Sequence, residues 1–164
     1  MRQEYKELGF RFGGTEALMV HPLTRIPRLT TSYEITRVKS AALADKLAQV
    51  RGTRPRADLL SSDSSTWQYV ALDDGEPVGW AESIITETED PDPRAWCENM
   101  FVAPTHRRQG IAKALLARML RDDRRRGARA SVLLASHAGA QLYPTVGYRQ
   151  IGELLLFTPP KISG

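Results

Sequence analysis

The sequence predicts a mixed α/β fold in which a long crossover helix joins two parallel strands of one sheet. Three observations predict it. Period-two runs alternate with helical patterns, the longest helical pattern lies between two apolar strand-like runs, and an Asp-Gly pair links two alternating runs as a hairpin. A chain of 164 residues, 41% hydrophobic and 26% charged, suits one domain with its own core.

The first thirty residues resist a period. Gly13, Gly14, Pro22 and Pro27 interrupt them, so residues 1–30 are set apart as an N-terminal extension before a domain at 31–164. The segment YKELGFRF is too apolar for a free tail and is expected to pack on the domain or on a second copy, as a homodimer. SYEITRV (32–38) alternates as a strand, and SAALADKLAQVRG (40–52) reads as a helix capped by Ser40 and stopped by Gly52. SSDSS (61–65) is a short polar loop. TWQYVAL and PVGWAESIIT flank the turn Asp74-Gly75 as a hairpin.

The acidic run ETEDPD (87–92) reads as a solvated connection, with attraction of a cationic acceptor as the alternative. AWCENMFVA (95–103) is a buried-looking strand. The long helix follows, with Ile111, Leu115, Met119 and Ala112, Leu116, Leu120 as adjacent apolar ridges. Its other face carries Lys113, Arg118, Arg121 and Arg125. RASVLLAS (129–136) is a strand, and HAGAQLYPTVG (137–147) a short helix that Pro144 should end or kink. YRQIGELLLF (148–157) closes the sheet, with Gly152 at a bulge.

Composition narrows the functions. Cys97 is the sole cysteine and His21, His106 and His137 are scattered, so neither a disulfide nor a metal site is expected. No apolar run reaches the length of a membrane span, and the charged start lacks the apolar stretch of a signal peptide, so no membrane partner and a cytoplasmic location are expected. The formal net charge of +4 is segregated. Arg107, Arg108, Lys113 and residues 118–129 carry the positive side, and residues 73–76 and 87–92 the acid. A small polyanion accounts for the basic half as well as nucleic acid would. The arginine-rich helix lacks clustered aromatics or a recognisable nucleic-acid motif, so no nucleic-acid partner is expected.

The start of that helix carries the chemistry. In HRRQGIAK (106–113), no Ser, Thr, Asp or Asn stands immediately before the glycine where the apolar period begins. The orphan amides of a helix's first turn need partners, and an anion can supply them. Gly110 and Ala112 allow close approach to the backbone, while Arg107 and Arg108 suit bidentate phosphate contacts. The alternative is that Thr105 caps a helix beginning at His106. That would bury Gly110 inside the helix at about 1 kcal/mol and crowd basic groups at the positive end of the helix dipole.

Arg107-x-x-Gly110-x-Ala112, placed between a strand ending Val-x-Pro and a long helix, resembles the signature of the GNAT superfamily of N-acetyltransferases. SHAGAQLYPTVGY (136–148) is similar to that family's later segment, and the strand order agrees over about residues 31–157. The resemblance implies a mostly antiparallel sheet with a splayed parallel strand pair and flanking helices. It also implies acetyl-coenzyme A as donor and a primary amine, on a small molecule or peptide, as acceptor. The donor's pyrophosphate would lie on the amides of Gln109, Gly110, Ile111, Ala112 and Lys113. Its pantetheine arm would pair with the backbone of Met100, Phe101 and Val102, and an amide near Phe101 or Val102 would polarise the thioester.

By the same resemblance, Tyr143 stands at the position of the acid that protonates the departing thiolate; its alternative is a core aromatic. Ser136 replaces a frequent asparagine at a coenzyme A contact. Glu98 is the candidate base, acting through water, because alternation along the strand places it on one face with Met100; a structural ion pair is the alternative. The competing function is a coenzyme A-binding sensor or interaction module without catalysis.

Overall fold

The computed structural model describes residues 2–86, 92–136 and 139–160. Helix α1 (Arg2–Glu7) and strand β1 (Arg11–His21) come first, then β2 (Glu34–Arg37), α2 (Ala41–Arg51), β3 (Thr66–Asp73) and β4 (Glu76–Thr86). Strand β5 (Arg94–Val102), α3 (Ile111–Arg125), β6 (Ala130–Ala135) and β7 (Arg149–Thr158) complete the described elements. All seven strands form one sheet in the order β2-β3-β4-β5-β6-β1-β7. Every neighbouring pair is antiparallel except β5 and β6, which α3 connects in parallel. The mixed, mostly antiparallel sheet with one parallel pair agrees with the expectation.

Local chemistry explains the elements that the sequence displayed. The Ser40 hydroxyl accepts the Leu43 amide at 3.3 Å, and Gly52 turns left-handed (φ 66°) to close α2. Asp74 and Gly75 both have positive φ, 47° and 81°, as a two-residue hairpin of the I′ type requires. Strand β3 is buried on both faces. Tyr69 and Ala71 belong to the larger core with α3, and Val70 and Leu72 to a second core with α2. The sheet is therefore a middle layer. On the α3 side Leu115, Leu116, Met119 and Leu120 are fully buried, each contributing about 1.5–3 kcal/mol. Gly79 of β4 permits that close approach, since a Cβ there would lie 3.1 Å from the Phe101 carbonyl and 3.2 Å from Ile111.

Elsewhere the structure departs from the sequence reading. The extension contributes β1 to the interior of the sheet, between β6 and β7, so both sides of the boundary drawn at residue 31 build the sheet. Its period is hidden by a register shift between Phe12 and Gly14 and by the half-exposed position of the strand. Tyr5 of α1 stacks on Phe157 at 4.5 Å. The expected helix at 137–147 is instead two 3-10 turns, Gly139–Gln141 and Tyr143–Val146. Pro144 offers no amide to an α-helical ladder, and Gly147 at φ 108° ends the second turn. His137 and the acidic residues 87–91 lie outside the described residues. The bulge expected at Gly152 falls beside it, because Ile151 is skipped between the pairs Leu18–Gly152 and Met19–Gln150.

The arginines of α3 have a task within the domain. Arg118, Arg121 and Arg124 donate to the carbonyls of Ile35, Pro27 and Leu23 at 3.3–3.4 Å, which fastens β2 and the segment before it across the helix. Asp122 supports them, accepting from Arg118 at 2.9 Å and Arg125 at 3.0 Å.

Asp123, one residue on, faces inward and is completely buried. It accepts a 2.5 Å hydrogen bond from Ser83, while Arg126, stacked 4.1 Å over Trp67, stands 4.0 Å away. Burial is the dominant influence and pushes the Asp123 pKa up to about 7, against the ordinary 3.8. Between those two values the folded chain keeps a proton that the unfolded chain has released. Stability contributed by this group is thus fully present below about pH 4 and lost as pH rises toward 7, at up to about 1.4 kcal/mol per pH unit. Asp123→Asn should flatten that slope while keeping the partner for Ser83. Urea denaturation of both proteins at intervals from pH 4 to 7 measures it, and parallel pH dependences would contradict the assignment.

Candidate active site

Strand β5 fixes one wall. Its antiparallel pairing with β4 carries a bulge, because the register passes from Glu82–Glu98 to Trp80–Phe101 with two residues opposing one. Asn99 absorbs the kink in the left-handed region at φ 54°, where asparagine is among the few non-glycine residues at ease. The extra residue changes which side chains share a face. Trp80 and Phe101 stack at 4.4 Å, and Trp80 packs against the core beneath α2, whereas Met100 packs against the α3 core. Glu98, paired with Glu82, lines a hollow on the α2 side. The expectation that Glu98 and Met100 share a face is therefore incorrect, because it assumed unbroken alternation.

The second feature is a gap. Strands β5 and β6 pair only from Arg94–Ala130 to Trp96–Val132. Beyond that, β6 bonds to β1 on its other edge, from His21–Ser131 to Ala17–Ala135, while β5 stays with β4. Met100, Phe101, Val102, Ser136 and Tyr143 line the resulting hollow of about 480 Å³. An adjoining hollow of about 350 Å³ at the start of α3 shares Val102, Arg107, Ala112 and Leu142 with it. The two form one continuous groove.

At the far end of the groove stands the glycine turn. Residues Pro104–His106 make a separate 3-10 turn, Arg108 and Gly110 both take positive φ (63° and 82°), and α3 begins at Ile111. Gly110 is thus the helix cap, not an interior residue, which excludes a helix running continuously from His106. No side chain caps the helix, so its first amides are free of any side-chain cap. A Cβ on Gly110 would meet nothing within 4 Å, and Arg107, Arg108, Ile111, Ala112 and Lys113 line the hollow around it. These groups fit a diphosphate: open amides, the positive end of a helix dipole and three cationic side chains. Gln109 takes part only in the turn's backbone. Its side chain is tied away, accepting from the Tyr33 hydroxyl at 2.5 Å and donating to the Thr105 carbonyl at 3.3 Å. Arg107 donates to the Val102 carbonyl at 3.0 Å and so bridges the helix start to β5.

Tyr143 is 8% exposed and lies edge-on to Tyr148 at 5.6 Å. Burial first, and then the neighbouring Cys97, raises its pKa above the ordinary 10, so the phenol keeps its proton at neutral pH. Ser136 shapes the approach, accepting the Gly139 amide at 3.3 Å through its hydroxyl and the Ala140 amide at 2.9 Å through its carbonyl. A second, less visible support is His21. Its Nδ1 accepts the Leu23 amide at 2.9 Å, which leaves Nε2 as the donor to the Val146 carbonyl at 3.1 Å. Strand β1 thereby latches the turn that carries Tyr143. Burial lowers the His21 pKa and favours this neutral form. Sequence reasoning missed His21 and Asn99, since neither sits in a recognisable spacing; Leu142 lies in the quoted segment 136–148 but was not singled out.

The model of the acetyltransferase (GNAT) domain family matches residues 64–150, and the chain belongs to that family. No curated protein matches the chain. Among solved structures it is similar to a GCN5-related N-acetyltransferase from Kribbella flavida, with a TM-score of 0.72 and 18% identity over 98% of this chain. The chain spans 63% of the length of that protein. It is also similar to the aminoglycoside acetyltransferase HMB0005 from an uncultured soil metagenomic sample (TM-score 0.62, 25% identity, 79% of this chain and 99% of that one). A third likeness is to the aminoglycoside N-acetyltransferase AAC(6′)-Iy in complex with CoA, with a TM-score of 0.63 and 21% identity over 76% of this chain and 98% of that one.

The bulge on which the site turns can be tested by itself. Asn99→Val places a β-branched residue in the left-handed region and should cost about 1–2 kcal/mol, whereas Asn99→Gly should be nearly neutral. Equal unfolding midpoints for the two variants in urea would show that the kink is not held at this residue.

Proposed function

We propose that the chain is an acetyl-coenzyme A-dependent N-acetyltransferase that moves an acetyl group to a primary amine by direct attack. The observation that carries this reading is the continuity of the groove. It runs from the uncapped start of α3, beside strand residues that have lost their parallel partner, to Tyr143.

The donor supplies an activated acetyl thioester. In this reading the amides from Gln109 to Lys113, with Arg107 and Arg108, hold the pyrophosphate. The backbone of Met100, Phe101 and Val102 holds the pantetheine arm, with Arg107 leaving the Val102 carbonyl to make room. An amide near Phe101 or Val102 polarises the carbonyl being attacked. Ser136 borders the arm, although its hydroxyl already serves the Gly139 amide. The amine nitrogen bonds to the acetyl carbon, the carbon–sulfur bond breaks, the Tyr143 phenol gives its proton to the departing sulfur, and the proton the nitrogen sheds on becoming an amide restores the phenol through water.

An ammonium cannot attack, and deprotonating a lysine-like amine at pH 7 costs roughly 4–5 kcal/mol. Glu98 is the carboxylate available on the α2 side of β5. It takes that proton through water across the gap.

Two substitutions separate binding from chemistry. Acetyl-coenzyme A at 100 times its Kd should stabilise the protein by about 2.7 kcal/mol, seen as a rise in Tm. Gly110→Asp should abolish that rise, while Gly110→Asn, which tolerates positive φ without adding charge, should keep most of it. A full rise in the aspartate variant would remove the diphosphate from this turn.

Tyr143→Phe keeps the ring packing but removes the proton. With thiolate expulsion limiting, kcat should fall about 10²–10⁴-fold with donor affinity unchanged. Equal kcat across the pH range would return Tyr143 to the core, and donor binding without turnover on any amine would favour a coenzyme A-binding sensor.

A further inference from the structure

Beneath the C-terminal end of α2 lies a hollow of about 330 Å³ that the groove does not include. Its charged lining is Arg51, Arg54, Arg56, Glu82 and Glu98, beside Asn99 of the bulge. Three of these five charges are already engaged. Arg51 is paired with the buried Glu82, which also accepts from Gln68 at 3.1 Å. Burial alone would raise the Glu82 pKa, but those hydrogen bonds outweigh it and hold it below its ordinary value, so this pair is ionised and closed. Arg56 is engaged by Asp58 through contacts of 2.8 and 3.0 Å.

Two charges remain. Among the described residues no group pairs with the Arg54 guanidinium, and the Glu98 carboxylate has only the Asn99 amide at 3.3 Å. One free cation and one free anion thus line the same small hollow. Glu98 belongs to β5, the strand whose next residues border the groove, and its role as the base proposed above puts the reacting end of an acceptor beside it. The opposite end of that acceptor then meets Arg54. A planar guanidinium with an open fork is the partner of a carboxylate. With Arg51 and Arg56 already paired, Glu98 is the one lining carboxylate left for a cation, which does not suit a polycation.

We infer that the acceptor is a small aminocarboxylate of the α-amino acid type, its amine at Glu98 and its carboxylate on Arg54. This rests on the transferase reading above and adds the acceptor's class. A protein N-terminus lacks the adjacent carboxylate and is disfavoured, and so is a polyamine.

The test uses the full chain saturated with coenzyme A, titrated in a calorimeter with the common L-amino acids, their amides, the matching decarboxylated amines and spermidine. The same compounds are assayed for acetyl transfer with acetyl-coenzyme A. At least one amino acid should bind roughly 10- to 100-fold more tightly than its amide, the range of a charge-assisted hydrogen bond. Arg54→Ala should bring that amino acid down to the level of its amide, leave the amide and coenzyme A affinities unchanged, and be partly rescued by Arg54→Lys. Arg54 is exposed, so these variants should fold normally. The inference is overturned if no amino acid binds, if amides or spermidine match the amino acids, or if Arg54→Ala leaves the preference intact. Selective binding with no transfer overturns the transferase reading and leaves the aminocarboxylate site standing. Transfer without carboxylate preference does the reverse.

Discussion

The groove of this chain depends on two parallel strands that are allowed to part. A parallel pair normally continues as far as both strands do, since each unpaired buried amide or carbonyl costs free energy. Here β5 and β6 separate after three residue pairs because each has a stronger claim elsewhere. On one side β4 holds β5 through a bulged antiparallel ladder, and on the other β1 takes up β6. The parting leaves polar backbone of β5 beside an apolar hollow, a combination suited to an extended ligand carrying its own amides. The uncapped start of α3 lies at one end of that hollow and Tyr143 at the other.

Helix α3 links the parts energetically. Its apolar stripe anchors the larger core, its first turn has no side-chain cap, and its arginines clamp β2 and the segment before it. A shift of the helix would therefore disturb the core and the glycine turn together. Gly79 fixes its approach to the sheet, and the buried Ser83–Asp123 hydrogen bond ties its far end to β4. Three of the arginines behind the positive charge, Arg118, Arg121 and Arg124, are engaged in these internal contacts.

Strand β1 and the α2 hollow complete the arrangement from opposite sides. Through His21, β1 carries a buried hydrogen bond to the turn that holds Tyr143, so the position of the phenol depends on residues near the start of the chain. A Cβ at Gly147 would come within 2.7 Å of His21, which explains why that turn ends in glycine. On the α2 side, the bulge at Asn99 separates Glu98 from Met100 and gives the two faces of the sheet different chemistry. On one face Met100 packs against the α3 core, and the other carries paired and unpaired charges.

The sequence by itself determined the elements whose signals are local. Ser40 and Gly52 bounded α2, Asp74-Gly75 set the hairpin, and the ridges of α3 declared a buried helix, because caps, positive-φ turns and period are properties of neighbours along the chain. The Arg-x-x-Gly-x-Ala turn was legible for the same reason. What the tertiary structure alone decided is whatever depends on which strands meet. No local signal placed β1 inside the sheet, since its pairing with β6 and β7 is made over more than a hundred residues. Alternation along β5 put Glu98 beside Met100 until the register against β4 inserted a residue between them. Nothing along the chain marked Asp123 as buried; the packing of α3 on β4 alone set it against Ser83. Spacing fixes how a segment folds on itself, but only the pairing of distant segments fixes which face, and which charge, it presents.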